Sequence, residues 1–375
     1  MAVAVSTPAD PASGDSARVG PRKMSAELWN GVDRLVDGAA DLSDLRAHRL
    51  HLWAARRRRI RGLGVPEDLA NEEQGAAVAA LAATALLQKV RSAYDGPLIV
   101  MKGPEVAARY PDHTLRAFLD IDLLPEDPVA AHRALIAAGF EADGYPETYY
   151  EHLHHLRPLH WPGLPLLVEL HRRPYWVDWT PTPSREELFS LAVPSSLAVG
   201  GLLTFEASAH AVVLAAHSWG RVPLGRLSEL VDIAAMLESG DRDEAQALAH
   251  RWQLAGMWRT TVHAADSLLY GTPRPACVRL WARHLPAVRE TTVFGNHVRR
   301  WLSLFSALPP HQALRAASRT LGRELLPAHG ETWAEKLARS RLAIRNAFVR
   351  RSEHDRALGS EARKLRRRPA ARPRS

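Results

Sequence analysis

Phe118-Leu-Asp-Ile-Asp-Leu-Leu124 is an apolar run interrupted by two aspartates at alternate positions. Read as a strand, it sends Asp120 and Asp122 to one face and Leu119, Ile121 and Leu123 to the other. Two carboxylates about 6–7 Å apart on one strand face are costly to desolvate unless a cation or strong donors sit beside them. Whatever this chain folds into must bring such partners to that face. On repulsion alone, Asp122→Asn is expected to leave the cation-free protein slightly more stable.

The surrounding texture says which kind of fold can do this. From about Ser25 to Tyr94 the pattern is helical, with a break at Gly62 to Pro66. At Gly96-Pro97 it changes: Pro97-Leu-Ile-Val-Met101 is a short apolar run after a turn signal and suits a buried strand. Lys102-Gly103-Pro104 follows, and Glu105 to Tyr110 reads as one or two helical turns. Asp127-Pro128 starts a helix that should stop at Gly139, with Asp as N-cap and Pro at the first helical position. His155 to Trp161 and Leu164 to His171, separated by Pro162-Gly163, read as a hairpin. After Pro183 the pattern is helical again, clearest over Phe205–Trp219, Gly225–Leu237, Asp241–Trp252 and Gly256–Leu269. Asp241 and Glu244 there suggest a capping box.

The expected fold is therefore α+β: a small mixed sheet with helices on one side, flanked by N-terminal and C-terminal helical regions. The expected divisions are a disordered N-terminus over 1–23, a helical region over 24–95, a core over 96–180, a helical domain over 181–350 and a disordered basic tail over 351–375.

Leu166-Leu-Val-Glu-Leu-His171 supplies a third acid. With Val168 and Leu170 toward the core, Glu169 and His171 share the opposite face. Asp120, Asp122 and Glu169 on neighbouring strands could hold one or two hard divalent ions. Magnesium is the first choice and manganese the second. Lys102 and Gly103 follow a strand and open a helix, where backbone N–H groups and a lysine charge attract phosphate. Arg116 precedes the aspartate strand and is a candidate second phosphate contact. His171 is placed to touch substrate.

The ordered set Leu98-Ile-Val-Met-Lys-Gly103, Arg109-Tyr-Pro-Asp112, Leu115-Arg116, Leu119-Asp-Ile-Asp-Leu-Leu124 and Val168-Glu-Leu-His171 closely resembles the uncharacterised nucleotidyltransferase family of bacteria. That family is related to the abortive-infection nucleotidyltransferases, within the polymerase-beta-like superfamily. The motif-bearing resemblance spans roughly residues 97–172. A weaker likeness follows through Ala209-His210 to His217 and Arg226-Leu-Ser-Glu-Leu-Val-Asp232. The resemblance implies a nucleotidyltransferase core in which Asp120 and Asp122 are metal ligands and Glu169 is the third carboxylate. Lys102 and Gly103 stand where the wider superfamily has a Gly-Ser phosphate loop. The implied reaction moves a nucleoside monophosphate from a nucleoside triphosphate, ATP among them, to an acceptor and releases pyrophosphate. The acceptor could be a small molecule, a protein or an RNA. Glu169 would deprotonate it or hold the ion that does so.

Other features bound the alternatives. Cys277 is the only cysteine, which excludes an intrachain disulfide and a cysteine-based zinc site and fits a reducing cytoplasm. Neither a signal peptide nor a membrane-spanning run is evident. The net charge is +8, yet seven positive charges lie between Arg363 and Arg374 with no acid among them. The body before residue 363 is thus close to neutral, which disfavours a long duplex-binding surface. The tail could contact acidic partners by counterion release, though charge runs are commonly just solvated. Arg56 to Arg59 reads as a solvated helix end. His152, His154, His155 and His160 suit positions near a site mouth better than a zinc site. His210 and His217 share a helix face, with His217 and Asp232 able to bond between helices. An inactive nucleotide-binding or protein-interaction module is the alternative to an enzyme.

Overall fold

The computed structural model describes residues 26–144, 147–327 and 331–366. The expected disordered segment 1–23 and the last residues of the basic tail, 367–375, lie outside these. The N-terminal region is helical: α1 Ala26–Asp37, α2 Leu42–Ala47, α3 His51–Ile60 and the long α4 Glu67–Ala93. Leu28, Trp53 and Leu69 are fully buried between them. The arginine cluster at the end of α3 is not simply solvated. Arg57 bridges to Asp33 and Asp37 of α1, and Arg59 to Glu73 of α4.

The sheet begins where the texture changes. β1 is Leu98–Val100, α5 Pro104–Ala107, β2 Asp120–Pro125 and α6 Pro128–Ala137. β3 Glu141–Ala142, α7 Glu147–Tyr150, β4 Leu159–His160 and β5 Leu167–Leu170 follow. Asp127 caps α6 by accepting from the Val129 and Ala130 amides, and Pro128 occupies the first helical position. The hairpin expected over 155–171 is present as β4 and β5, antiparallel, with Leu159 opposite Val168. β5 also lies parallel to β2, and β1 antiparallel to it, so strand directions are mixed.

Two features depart from the expectation. The sheet continues past residue 180. After α8 Arg185–Ser190, β6 Ala192–Pro194 and β7 Leu203–Phe205 complete a seven-stranded sheet of order β3-β4-β5-β2-β1-β7-β6. These strands are too short to show a clear period, so only pairing with β1 reveals them. Helices also cover both faces rather than one. Leu98, Val100, Ile121, Leu123 and Val168 pack with α4 and α6 residues such as Leu86 and Leu135. On the other face Ile99, Leu124 and Phe205 join the core of the C-terminal helices. A continuously buried run such as Leu98-Ile-Val100 requires this, because alternate side chains point to opposite faces. Leu119, expected on the core face, instead lies outside β2 and is 74% exposed.

The C-terminal region is helical, and most of its helices are buried together. It comprises α9 Ala207–Arg221, α10 Leu227–Leu237, α11 Arg242–Arg251, α12 Ala255–Leu269 and α13 Ala276–Leu280. α14 Val293–Ala307, α15 Pro310–Leu325, α16 Trp333–Arg345 and α17 Arg351–Arg366 complete it. Asp241 caps α11, but Glu244 does not return the bond of a capping box. Its carboxylate accepts from the Ser208 hydroxyl of α9, a tertiary partner invisible to local pattern. α17 occupies much of the stretch expected to be a disordered tail. Its start is anchored by Ser352 to Glu290 and by Arg350 to Asp41 and Asp44. Among the described residues, no helix is long and apolar enough to cross a membrane.

Candidate active site

The register of β2 against β5 builds the site. Asp122 is paired with Glu169, so alternate side chains of both strands reach the same face side by side. His171 follows Glu169 by two residues and joins that face. The His171 Nε2–H donates to Asp122 Oδ1 at 2.9 Å and lies 3.7 Å from Glu169 Oε2. One ligand atom from each of Asp122, Glu169 and His171 falls within 4.8 Å of the other two. Asp122 and His171 are buried and Glu169 is half-buried.

Lys102 enters from the end of β1. Its ammonium lies 3.9 Å from Asp122 Oδ2 and donates to His217 Nε2 at 2.7 Å. His217 comes from α9, so the helical region contributes directly. Burial, reinforced by Lys102, keeps the His217 imidazole neutral and holds its pKa well below the usual histidine range. That suits the role of acceptor at Nε2. Tyr175, in the loop after β5, packs between His217 at 5.6 Å and His154 at 4.5 Å, ring centre to ring centre. His154 and His155 stand against His171, 5.2 and 5.7 Å away. The histidine run thus reaches the site only through this pair. His160 faces Glu141 on the sheet edge, and His152 is exposed.

The two central carboxylates are driven apart in acidity. Burial opposes ionisation of Asp122, but Lys102 and then His171 outweigh it and hold this carboxyl far below the ordinary range. At Glu169 the same two groups help less and are outweighed. Burial, then the charge of Asp122, pushes it up to about 7, and Asp120 adds to the effect. Asp120 is half-buried two residue pairs along the ladder from Asp122 and Glu169. It is on their face but outside the tight group that His171 completes. Two carboxylates and an imidazole form a donor set that could hold a divalent metal ion. A cation among them would favour the ionised form of Glu169.

The remaining expected residues hold the turn that carries Lys102. Gly103 has φ +66°, and a Cβ there would meet the Asp120 carbonyl oxygen at 3.1 Å. Only glycine fits this turn without strain. Pro104 at the first position of α5 removes one N–H from that helix start. Arg116, expected at a phosphate, directs its guanidinium elsewhere. Nε and Nη2 donate to the two Asp232 oxygens at 2.8 and 2.9 Å, and Nη1 to the Gly103 carbonyl at 3.3 Å. Tyr110 also donates to Asp232 at 2.7 Å. Asp232 is therefore occupied by Arg116 and Tyr110, and the His217–Asp232 bond considered from sequence is replaced by His217–Lys102. His210, as expected for a structural residue, donates from Nε2 to the Met101 carbonyl at 2.6 Å and ties α9 to β1.

Sequence pattern misses Tyr175, which follows β5 closely but lies in a loop with no period, and undervalues His217, which lies far along the chain from the carboxylates. Their signal is only spatial.

The family model for uncharacterised nucleotidyltransferases matches residues 42–269. The chain belongs to that family and is a nucleotidyltransferase. The match extends well beyond the 97–172 span that carries the motifs. It takes in α2 to α4 before the sheet and α9 to α12 after it, which agrees with α9 supplying His217 to the site. No curated protein and no solved structure matches the chain.

Proposed function

We propose that this protein transfers a nucleoside monophosphate from a nucleoside triphosphate to an acceptor hydroxyl, releasing pyrophosphate, with Asp120, Asp122 and Glu169 as the acidic centre. The observation that carries the reading is the convergence of Asp122, Glu169 and His171, with Lys102 3.9 Å from Asp122. In the transfer, the acceptor oxygen bonds to the α-phosphorus and the bond to the β-phosphate oxygen breaks. Pyrophosphate leaves with that electron pair.

The residues divide the work by their electrostatics. Asp122 stays ionised and, with Asp120 and Glu169, would hold magnesium, or manganese given the histidine beside them. That ion, when bound, neutralises phosphate charge and lowers the pKa of a bound hydroxyl. Glu169, ionised beside that cation, takes the acceptor proton. His171 orients Asp122 through its Nε2–H. Lys102 lies where it can turn from Asp122 and His217 toward the triphosphate. Gly103 provides the turn that places it. Arg116 acts as a positioning residue, locking the Gly103 turn to α10 through Asp232.

The test is mass spectrometry of candidate acceptors incubated with each nucleoside triphosphate and magnesium or manganese. A gain of one nucleoside monophosphate, matched by released pyrophosphate and absent with Asp122→Asn, supports the reading. Hydrolysis to diphosphate and inorganic phosphate would contradict it, because the wrong bond would have broken.

A further inference from the structure

Beyond the acidic centre, the protein has a cavity with a volume of about 870 Å³. Its wall brings together α2, the turn after it, the α9–α10 connection, α14 and the first turns of α17. It is strongly basic, and its charges are unequally compensated. Arg46, Arg350 and Arg351 pair with carboxylates. Among the described residues, Arg49, Arg221, Arg226, Arg299 and Arg300 make no ion pair with a carboxylate within 4.0 Å. Glu229 lies among them, accepting a hydrogen bond from Ser218.

Arg299 is the most telling of these. It is 2% exposed, and its Nη1 and Nη2 bond only to His284 and Asn296, while Nε has no hydrogen-bond partner. A buried guanidinium without a counter-anion is expensive. Burial pushes its pKa down to about 10 although Glu229 opposes the shift. Arg226 is likewise held down by burial and then by Arg49. Arg49 adopts φ +56° where it closes the C-terminus of α2, the Leu50 amide donating to the Leu45 carbonyl, and its exposed side chain lines this wall. The buried Arg299 and the half-buried Arg226 and Arg300, together with the exposed Arg49 and Arg221, match a ligand that carries several negative charges. Planar guanidinium forks suit phosphate in particular.

This cavity also shares part of its wall with a smaller pocket on the side of the acidic centre that carries Lys102 and His217. Arg49, Arg221, Arg226 and Glu229 line both. We propose that the arginine cavity binds the acceptor, and that the acceptor is a small molecule bearing two or more phosphate groups. The assignment to the acceptor rests on the nucleotidyl-transfer reading, whereas anion binding does not. The cavity volume is in the range of small-molecule sites, and the near-neutral body favours a compact polyanion over a long nucleic acid.

Inorganic tripolyphosphate, titrated by calorimetry in magnesium-free buffer, tests the site apart from any chemistry. Binding should be saturable at one per chain. It should weaken at least tenfold in Arg226→Gln and in Arg49→Gln, and persist in Asp122→Asn. Arg299→Met should abolish it; should that variant misfold, the two glutamine variants decide alone. Absent binding, or binding insensitive to these arginines but lost in Lys102→Ala, overturns the site. In the transfer assay, Arg226→Gln should raise KM for a phosphorylated acceptor and leave KM for the triphosphate unchanged. The opposite split would place the triphosphate in the cavity and overturn the acceptor assignment. A single-stranded RNA that binds far more tightly than tripolyphosphate through the same arginines would overturn the small-molecule class. If no transfer is seen with any acceptor while tripolyphosphate binds as described, the transfer reading fails and the anion site stands.

Discussion

Asp122→Asn tests the centre because structure and simple charge counting disagree on its sign. Counting repulsion with Asp120 alone predicts a slightly more stable metal-free protein. The fold places Lys102 3.9 Å from Asp122 Oδ2 and the His171 donor 2.9 Å from Oδ1. At an effective dielectric constant near 20, the lysine attraction is about 4 kcal/mol. Part of it is recovered when the charge is removed. The Lys102 side chain is 20% exposed and can rehydrate, and Glu169, relieved of Asp122, ionises more readily. The asparagine oxygen can still accept from His171. The expected net loss is about 2 kcal/mol, or roughly 2–3 °C in melting temperature for a chain of this size. Melting curves should be taken with and without magnesium or manganese. Divalent ions should raise the wild-type melting temperature and leave the variant unmoved, and nucleotide transfer should fall at least a hundredfold, about 3 kcal/mol in the barrier. Normal turnover in the variant would remove Asp122 from the ion site. A variant that does not fold would make Asp122 a structural hydrogen-bonding residue and refute the catalytic assignment.

Lys102→Ala should raise KM for the triphosphate about tenfold with a smaller effect on kcat, as expected for loss of one charge-assisted phosphate contact; an unchanged KM in steady-state kinetics would contradict that role. Asp232→Asn breaks the buried pair with Arg116 and should cost about 3 kcal/mol in a denaturant titration, while a change under 1 kcal/mol would show that Arg116 finds another partner. Gly103→Ala forces a side chain into the φ +66° turn against the Asp120 carbonyl. It should lower stability by about 1–3 kcal/mol and slow transfer more than an alanine elsewhere in α5. Burial holds the His210 pKa at about 4 against an ordinary 6.5. Below pH 6.5 the unfolded chain binds the proton first, so stability is full above that value and falls as pH drops toward 4. This one residue should contribute roughly 3 kcal/mol to the fall. His210→Gln, which keeps a donor toward Met101, should flatten that part of a stability–pH curve, and an unaltered curve would show that His210 is not the titrating group.

The sequence by itself determined the elements that local chemistry controls. The Gly62–Pro66 break, the Asp127-Pro128 helix start and the alternation across Leu166 to His171 each depend on residues within a few positions of one another. The shared face of Asp120 and Asp122, and that of Glu169 and His171, were legible because period-two alternation marks a face before any partner strand is known, whereas the register that sets Asp122 beside Glu169 was not. The family resemblance was carried by motifs in the same short span. Tertiary structure decided the rest. Lys102 and Arg116 look alike in sequence as phosphate ligands. One ends beside Asp122 and the other is bound by Asp232, more than a hundred residues away, because only packing of α10 on the Gly103 turn brings that carboxylate within reach. His217 becomes a site residue for the same reason, since α9 covers the sheet face that the carboxylates occupy. The arginines of the cavity lie from Arg46 to Arg356 with no local pattern. They face one space only because helices from both ends of the chain close around it, and Arg299 is the one buried there, where desolvation makes an unpaired charge count.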